Sequence, residues 1–326
     1  MKIMIVTPAP PESTLGNSVT ARRWRDMLMD LGHDVDLGSE LAGDKYDLLI
    51  ALHAERSHDA VRSFRDHAPD SPIVVVMTGT DLYLSLPEGS SRALASIEIA
   101  DRIAVLHPCA FEALPEGTRG RARLVIQSAA PPARVATKRR EVFSVCVLAH
   151  LRRIKDPLLA ARAARRLPRE SKVNVTLAGS VLEDDMRDQV AKEADENPRF
   201  TWLGELPTDE ALELVATSDV LVMSSELEGG ANVISEALVA DVVVLASRIP
   251  AAIGMLGAEY PGLFGVGDEN ALAELLYRAE SDAGFMDTLR GHCREAAPLV
   301  DPRRERSALA GLLTELTADA GSATSR

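Results

Sequence analysis

Residues 225–237 read SELEGGANVISEA and directly follow the apolar run DVLVM at 219–223. The apolar run predicts a buried strand, and the residues after the two glycines predict a helix that begins near Ala231 or Asn232. Glu228 then lies in the strand-to-helix loop, and Glu236 lies about one turn inside the helix. The segment predicts two carboxylates beside a glycine loop at the carboxyl end of a central strand.

The same alternation of predicted strands and helices continues through the rest of the chain. Short apolar runs such as KIMIV (2–6), DLLIAL (47–52) and FSVCVL (143–148) alternate with amphipathic helical patterns, which predicts parallel sheets covered by helices on both faces. The segment SAAPPARVATKRRE (128–141) interrupts the alternation and predicts a hinge near 130–142. We therefore expect an α/β protein with two doubly wound Rossmann-like domains facing a cleft, at 1–135 and 142–300, followed by a terminal helix and a disordered tail at 301–326.

The amino-acid composition argues against some classes of binding partner, among them nucleic acid and membranes. The net charge of -13 disfavours nucleic acid, which needs a basic face. Cys109, Cys146 and Cys293 are far apart in the 326-residue sequence, which indicates neither a disulfide framework nor a zinc site and fits a reducing compartment. No apolar run is long enough for a membrane span or a signal peptide. These features predict a cytoplasmic protein with no membrane partner. The sequence also shows no carboxylate cluster typical of a metal site, and we expect no metal or cofactor.

The loops at the predicted carboxyl edges favour a nucleotide sugar over a dinucleotide. The loop after the first strand contains no G-x-G-x-x-G. Backbone amides at Gly229, Gly230, Ala231 and Asn232 could bind phosphate oxygens, and the two glutamates could accept sugar hydroxyls. The alternative is an exposed helix N-terminus with favourable acidic residues.

A second cluster, AHLRRIKDP (149–157), follows another predicted strand. Its cationic side chains could clamp a diphosphate and stabilise charge on a leaving group; the cluster comprises His150, Arg152, Arg153 and Lys155. The alternative is a solvated basic loop.

Taken together, Glu228 and Glu236 with the upstream pair Arg152 and Lys155 resemble glycosyltransferase family 4, whose members have the GT-B fold. The resemblance covers nearly the whole chain. It implies that Glu228 and its glycine loop contact the donor sugar, that Glu236 binds the ribose, and that Arg152 and Lys155 bind the diphosphate. Gly179 falls where that family holds the base.

Five strings in order also resemble the selenosugar synthases of selenoneine biosynthesis, the SenB family; they are GNSVTARRW (16–24), ALHAERS (51–57), TGTDLY (78–83), HLRRIKDP (150–157) and EGGANVISEA (228–237). This resemblance implies a carbon–selenium bond formed between selenophosphate and a UDP-sugar, typically UDP-N-acetylglucosamine. It also implies other enzymes of selenoneine synthesis as possible partners.

The chain departs from the family 4 pattern at three places. His150 stands where an arginine is usual, and the common H-G-T-D motif begins with Thr78. Asp241 and Val243 replace a glycine and a proline. These departures concern the donor-sugar contacts.

The N-terminal half offers groups that bind an anion such as selenophosphate. We predict an acceptor pocket formed by a helix N-terminus, by guanidinium groups and by the loops after two strands; its residues are Gly16, Asn17, Thr20, Arg23, His53, Arg56, Thr78, Gly79, Thr80 and Asp81. Asp81 could orient a hydroxyl group. The alternatives are a surface helix position for Arg23 and a packed strand-end position for His53.

Three other functions stay open from the sequence. An ordinary glycosyltransferase with a hydroxyl acceptor would share the donor site, although the N-terminal half lacks an aromatic sugar platform. A non-catalytic nucleotide-sugar binding protein or a nucleotide-sugar epimerase would share the fold.

Overall fold

A computed structural model describes residues 1–41, 43, 45–131 and 141–323, with side chains up to residue 318. The predicted hinge near 130–142 and the predicted domain boundary at 135 lie mainly on 132–140, outside the described residues. The chain divides into two compact units, which we describe separately. The first comprises Met1–Gln127, Glu228–Gly230 and Pro302–Arg326, and the second comprises Ser128–Leu227 and Ala231–Asp301.

The first unit contains a six-stranded parallel sheet in the order β2-β1-β3-β4-β5-β6. Its strands are β1 (Lys2–Val6), β2 (Asp34–Gly38), β3 (Leu48–Leu52), β4 (Ile73–Val76), β5 (Arg102–Val105) and β6 (Ala122–Leu124). Its helices include α1 (Gly16–Asp30), α2 (His58–His67), α3 (Ser91–Ile99) and α4 (Ala110–Ala113), with a π-helical turn at Asp81–Ser85 and a 3-10 helix at Glu116–Arg121.

The hydrophobic core of this unit lies on both faces of its sheet, because the central strands are apolar at successive positions. β3 and β4 are buried at every position because helices cover both faces of the sheet. Successive residues of each strand point to opposite faces: Ile3 and Ile5 pack with Trp24 of α1, whereas Met4 and Val6 pack with Phe64 of α2.

The second unit contains another six-stranded parallel sheet, in the order β12-β11-β10-β7-β8-β9. Its strands are β7 (Phe143–Leu148), β8 (Val173–Ala178), β9 (Phe200–Trp202), β10 (Val220–Met223), β11 (Val243–Ser247) and β12 (Leu263–Phe264). Its helices include α5 (Leu159–Arg165), α6 (Asp185–Glu196), α7 (Thr208–Thr217), α8 (Asn232–Val239), α9 (Pro250–Leu256), α10 (Glu269–Ser281) and α11 (Ala283–Ala296), with 3-10 turns at Arg153–Lys155 and Ala297–Val300. The predicted α/β fold with two doubly wound parallel sheets is confirmed.

The strand orders determine where each unit can bind a ligand. In open α/β sheets a crevice forms at the carboxyl ends of the two strands where the winding direction reverses. That point lies between β1 and β3 in the first sheet and between β7 and β10 in the second. The loops that leave β7 and β10 are the two that sequence patterns single out as a donor site.

The last helix, α12 (Pro302–Ala323), belongs to the first unit. It includes part of the segment whose composition predicted a disordered end. Leu309, Leu312 and Leu316 of this helix pack in the same cluster as Trp24. Among the described residues, no helix combines the length and the apolar character that crossing a bilayer requires.

A buried carboxylate fastens α12 to α1. Glu305 is 1% exposed, and its two oxygens accept hydrogen bonds from Trp24 Nε1 at 2.7 Å and Arg23 Nε at 2.9 Å. Burying a charge is costly without partners, so the guanidinium and the indole N–H stabilise the carboxylate together.

We expect Glu305→Ala to lower the free energy of unfolding by about 3 kcal/mol, because it leaves a partly buried guanidinium and a buried indole N–H without their acceptor. Glu315→Ala on the same helix is the control, since Glu315 is 40% exposed and pairs with Arg102 and Arg123 at the surface. Its loss should be about 1 kcal/mol or less. Chemical denaturation measures both, and equal losses would contradict the assignment.

Candidate functional site

The loop after β7 holds Arg152 and Lys155 in one turn. Lys155 N donates to Arg152 O at 2.9 Å, which closes the 3-10 turn, and both side chains are half-buried. Asp156 then adopts a left-handed conformation (φ 37°) and accepts two 2.9 Å hydrogen bonds from Arg162. The ion pair fixes a backbone conformation that few non-glycine residues adopt, and with it the end of the turn.

The loop after β10 is tied directly to this turn. Ser224 Oγ donates to Asp156 O at 2.7 Å and to Lys155 O at 3.1 Å, two geometries that share one hydroxyl proton. Glu226 N donates to Ile154 O at 2.9 Å. These contacts bring the two predicted donor loops together at the point where the second sheet reverses its winding.

The helix that carries Glu236 begins as predicted. α8 starts at Asn232, and Glu236, its fifth residue, is half-buried. Ala231 precedes the helix with φ 51°, a left-handed conformation that costs an alanine about 1–2 kcal/mol. Strain of this kind clusters at functional sites, so the turn at Ala231 supports the predicted site.

Gly179 and His150 meet at the carboxyl end of β8. A Cβ atom on Gly179 would lie 1.9 Å from Ala149 O and 2.9 Å from His150 N, so only glycine fits there. His150 Nδ1 lies 2.8 Å from Ser180 Oγ, and Trp202 Nε1 donates to Gly179 O at 3.0 Å. Gly179 therefore meets a packing requirement of the strand ends, whether or not a base binds beside it.

Gly229 and Gly230 also meet a packing requirement, which the sequence analysis did not foresee. Within the first unit, a Cβ on Gly229 would lie 2.6 Å from Gly79 N and 2.8 Å from Thr78 Cα. A Cβ on Gly230 would lie 2.0 Å from Gln127 Oε1. The prediction attributed both glycines to close approach of a ligand, and the structure shows that protein atoms already require them.

In the first unit, Asp81 connects the loops after β3 and β4. Its carboxylate is fully buried and accepts hydrogen bonds from Ala54 N and Thr78 N at 2.7 Å, from Thr78 Oγ1 at 2.8 Å and from Leu82 N at 3.1 Å. Burial raises the pKa of Asp81, while these bonds and the nearby His53 oppose the rise. The carboxylate is committed to four donors.

His53 is the other strained residue of this edge. It follows β3 with φ 73° and is 2% exposed. Its Nε2 lies 2.9 Å from Thr80 Oγ1, and its Nδ1 accepts from Arg56 N at 3.3 Å. Burial lowers the pKa of His53, and the opposing effect of Asp81 is smaller. The structure thus brings together His53, Thr80 and Asp81 as predicted, in contact with one another.

At the start of α1, two of the predicted acceptor residues already have protein partners. Gly16 and Asn17 are its first two residues. Thr20 is 1% exposed, donates to Gly16 O at 2.9 Å and accepts from Gln127 Nε2. Arg23 pairs with the buried Glu305, which neutralises its charge locally. Thr20 and Arg23 therefore have structural partners, and their role toward an acceptor stays a prediction.

Arg56 is exposed beside His53. In the part of the chain that the structure describes, its guanidinium forms no ion pair, unlike that of Arg23. Arg56 is thus the better placed of the two predicted cations to meet an anionic ligand.

Sequence reasoning missed His107, which lies two residues after the end of β5. His107 is fully buried, and its Nε2 lies 3.0 Å from the Tyr83 hydroxyl; within the described part of the chain, its Nδ1 has no hydrogen-bond partner. Burial lowers the pKa of His107 to about 4. The signal was present in VLHPC (105–109), a histidine at a strand end like His53.

Among the described residues, no three His, Cys, Asp or Glu side chains cluster as a metal site would require. The expectation that the protein needs no metal or cofactor stays a prediction.

The family profile named glycosyl transferases group 1 matches residues 133–299, slightly more than half of the 326 residues. The chain belongs to this family. Among curated protein sequences, none matches this chain significantly. The glycosyltransferase part of the sequence interpretation is therefore confirmed, and its assignment to selenosugar synthases stays a proposal.

Solved structures show the fold at low sequence identity. Sucrose-phosphate synthase from Thermosynechococcus elongatus has a TM-score of 0.78, with 16% identity over 98% of this chain and 99% of its own. HepE from Anabaena, solved with UDP and glucose, has a TM-score of 0.74 and 16% identity over 97% and 100%. The pneumococcal O-GlcNAc transferase GtfA, solved with UDP and GlcNAc, has a TM-score of 0.65 and 15% identity over 83% and 57%. The predicted GT-B fold is confirmed.

The structure explains one departure from the family 4 pattern. Asp241, where glycine is usual, follows α8 with φ 56°, a conformation that glycine adopts freely and aspartate tolerates. Its carboxylate accepts hydrogen bonds from Arg294 Nε at 2.8 Å and Nη2 at 2.7 Å. The helix end is therefore preserved without the glycine.

The lowered pKa of His107 predicts a loss of stability in acid. The native state keeps this histidine neutral down to about pH 4, whereas the unfolded chain binds a proton below about 6.5, so the stabilisation present above 6.5 is lost as the pH falls toward 4. The contribution is about 3 kcal/mol. His107→Gln should unfold with a correspondingly weaker pH dependence between 7 and 4, measured by denaturation. A His107→Gln profile that matches the profile of the exposed control His67→Gln would contradict the account.

Proposed function

We propose that this glycosyltransferase transfers the sugar of a UDP-sugar, in the first instance UDP-N-acetylglucosamine, to selenophosphate. The observation that carries the donor half is the hydrogen-bonded contact between the β7 and β10 loops, which gathers Lys155, Arg152 and the start of α8 at one sheet edge. Cations and helix N–H groups in one place suit a diphosphate.

Similar proteins support UDP as the nucleotide. HepE has been solved with UDP and with UDP-glucose, and GtfA with UDP and GlcNAc. Each shares the GT-B fold with this chain, and the family match covers the unit that would hold the donor. Within that unit we assign the diphosphate to Arg152 and Lys155 and the ribose to Glu236. We assign the donor sugar to Glu228.

The transfer step needs charge stabilisation on the departing diphosphate. In the proposed reaction, selenium attacks the anomeric carbon, the bond from that carbon to the UDP oxygen breaks, and UDP leaves with the electron pair. Lys155 and Arg152 neutralise the charge that develops there. The product keeps the selenium–phosphorus bond, and hydrolysis of that bond afterwards releases phosphate and the selenol. We also propose that the cations make a metal ion unnecessary.

The acceptor half rests on the sequence resemblance and on the chemistry of the first sheet edge. A hydroxyl acceptor must lose a proton, whereas selenophosphate is already an anionic nucleophile. The two predicted acceptor residues that could act as bases are already engaged, since Asp81 accepts four hydrogen bonds and His53 Nδ1 accepts from Arg56 N. This commitment supports an acceptor that needs no base.

A family 4 enzyme with a hydroxyl acceptor is the second candidate. It is favoured by one observation: Arg23, predicted to attract the anion, is paired with the buried Glu305. A neutral acceptor would not need that charge.

Incubation of the protein with UDP-N-acetylglucosamine and selenophosphate should release UDP and form a sugar with the isotope pattern of selenium in mass spectrometry. Thiophosphate is run in parallel as the sulfur control and phosphate as the oxygen control. UDP release only with sugar or lipid alcohols would contradict the selenium proposal and support the second candidate.

Variants locate the chemistry in this reaction. Lys155→Ala should lower kcat by about 100-fold or more, because it removes charge stabilisation from the leaving group. Lys192→Ala on α6 is the matched control, since Lys192 is 73% exposed and pairs only weakly with Glu196 of its own helix, at 3.9 Å. Its turnover should stay within twofold of wild type, and similar losses in both variants would refute the role of Lys155.

A further inference from the structure

The proton positions of His53 can be derived from its neighbours. The Arg56 backbone N–H points at Nδ1 at 3.3 Å, so Nδ1 offers its lone pair and carries no proton. A neutral imidazole has one N–H, which must then be on Nε2. Nε2 lies 2.9 Å from Thr80 Oγ1, so the histidine donates to the threonine hydroxyl.

The direction of this bond determines what Thr80 can do. A hydroxyl that accepts from His53 keeps its own proton for another acceptor. Thr80 is half-buried, and among the described residues no protein group accepts a hydrogen bond from its hydroxyl. Thr80 therefore presents one oriented O–H donor at the carboxyl end of β4.

The loop that carries Thr80 packs against the glycine next to Glu228, the predicted donor-sugar residue. Gly229 packs on Thr78 and Gly79, the two residues that precede Thr80. Glu228 precedes Gly229 in the chain and belongs to the same unit. The strained backbone of His53 (φ 73°) and the four hydrogen bonds to Asp81 hold the β3 and β4 loops that frame the hydroxyl.

We propose that the Thr80 hydroxyl donates a hydrogen bond to an oxygen atom of the acceptor substrate, and that His53 is the positioning residue that fixes the direction of this hydroxyl. The inference rests on the proposed function. Under that function the recognised atom is an anionic oxygen of selenophosphate, with the exposed Arg56 supplying charge on the same edge.

The test compares Thr80→Val, which keeps the shape of threonine and removes the hydroxyl, with Thr80→Ser, which keeps the hydroxyl. In the full-length protein, Thr80→Val should raise the KM for the acceptor or lower kcat/KM by about 10-fold to 100-fold, while the KM for the UDP-sugar stays within twofold. Thr80→Ser should restore acceptor use to within about threefold. Unchanged acceptor kinetics in Thr80→Val, or equal increases in both KM values, would overturn the inference.

A second measurement tests the positioning role of His53. If His53 acts through Thr80, the single variant His53→Ala should have a lower kcat/KM for the acceptor than wild type. Adding His53→Ala to Thr80→Val should then lower kcat/KM no further. Independent, multiplicative losses would overturn the positioning role. Thermal unfolding of each variant separates these outcomes from loss of the fold.

Failure of the proposed function is recognised separately. Wild-type protein that gives no UDP release with selenophosphate refutes the selenium proposal. The same variants are then compared with the hydroxyl acceptor that does support release, since a threonine O–H can donate to a hydroxyl oxygen as well. The inference is then tested by the ratio of kcat/KM between Thr80→Val and wild type, measured with the acceptor that supports UDP release.

Discussion

The donor half of this protein depends on the hydrogen bonds that join the β10 loop to the β7 loop. Ser224 Oγ and Glu226 N bond to three successive carbonyl groups of the turn that ends at Asp156. Parallel strands alone would bring only the strand ends together, because loops beyond them are free to diverge. The extra bonds fix the turn that contains Lys155 beside the segment that leads into α8.

At the carboxyl edge of the first sheet, buried polar groups form hydrogen bonds with one another. Asp81 gathers N–H groups from two loops, and His53 is held by one backbone N–H and bonded to one hydroxyl. Groups whose lone pairs already accept hydrogen bonds are poor bases, but they hold the surrounding loops in place. We propose that the hydroxyl of Thr80, together with the exposed Arg56, is what this edge presents to an acceptor.

Much of the fold follows from sequence alone, because strands buried on both faces read as continuous apolar runs. The strand-to-helix loops after β7 and β10 were correctly placed at a sheet edge for the same reason. β6 and β12 escape such reasoning, since runs of three and two residues have no measurable periodicity. The partner of Arg23 lies 282 positions away on α12, and no local pattern reveals it. The steric demand on Gly229 likewise comes from Thr78 and Gly79, far away in sequence.

A crystal structure of the protein with a UDP-sugar tests the central claim most directly. We expect the diphosphate within hydrogen-bonding distance of Lys155 Nζ and the ribose on the Glu236 carboxylate. A nucleotide bound elsewhere, with both side chains unoccupied, would contradict it.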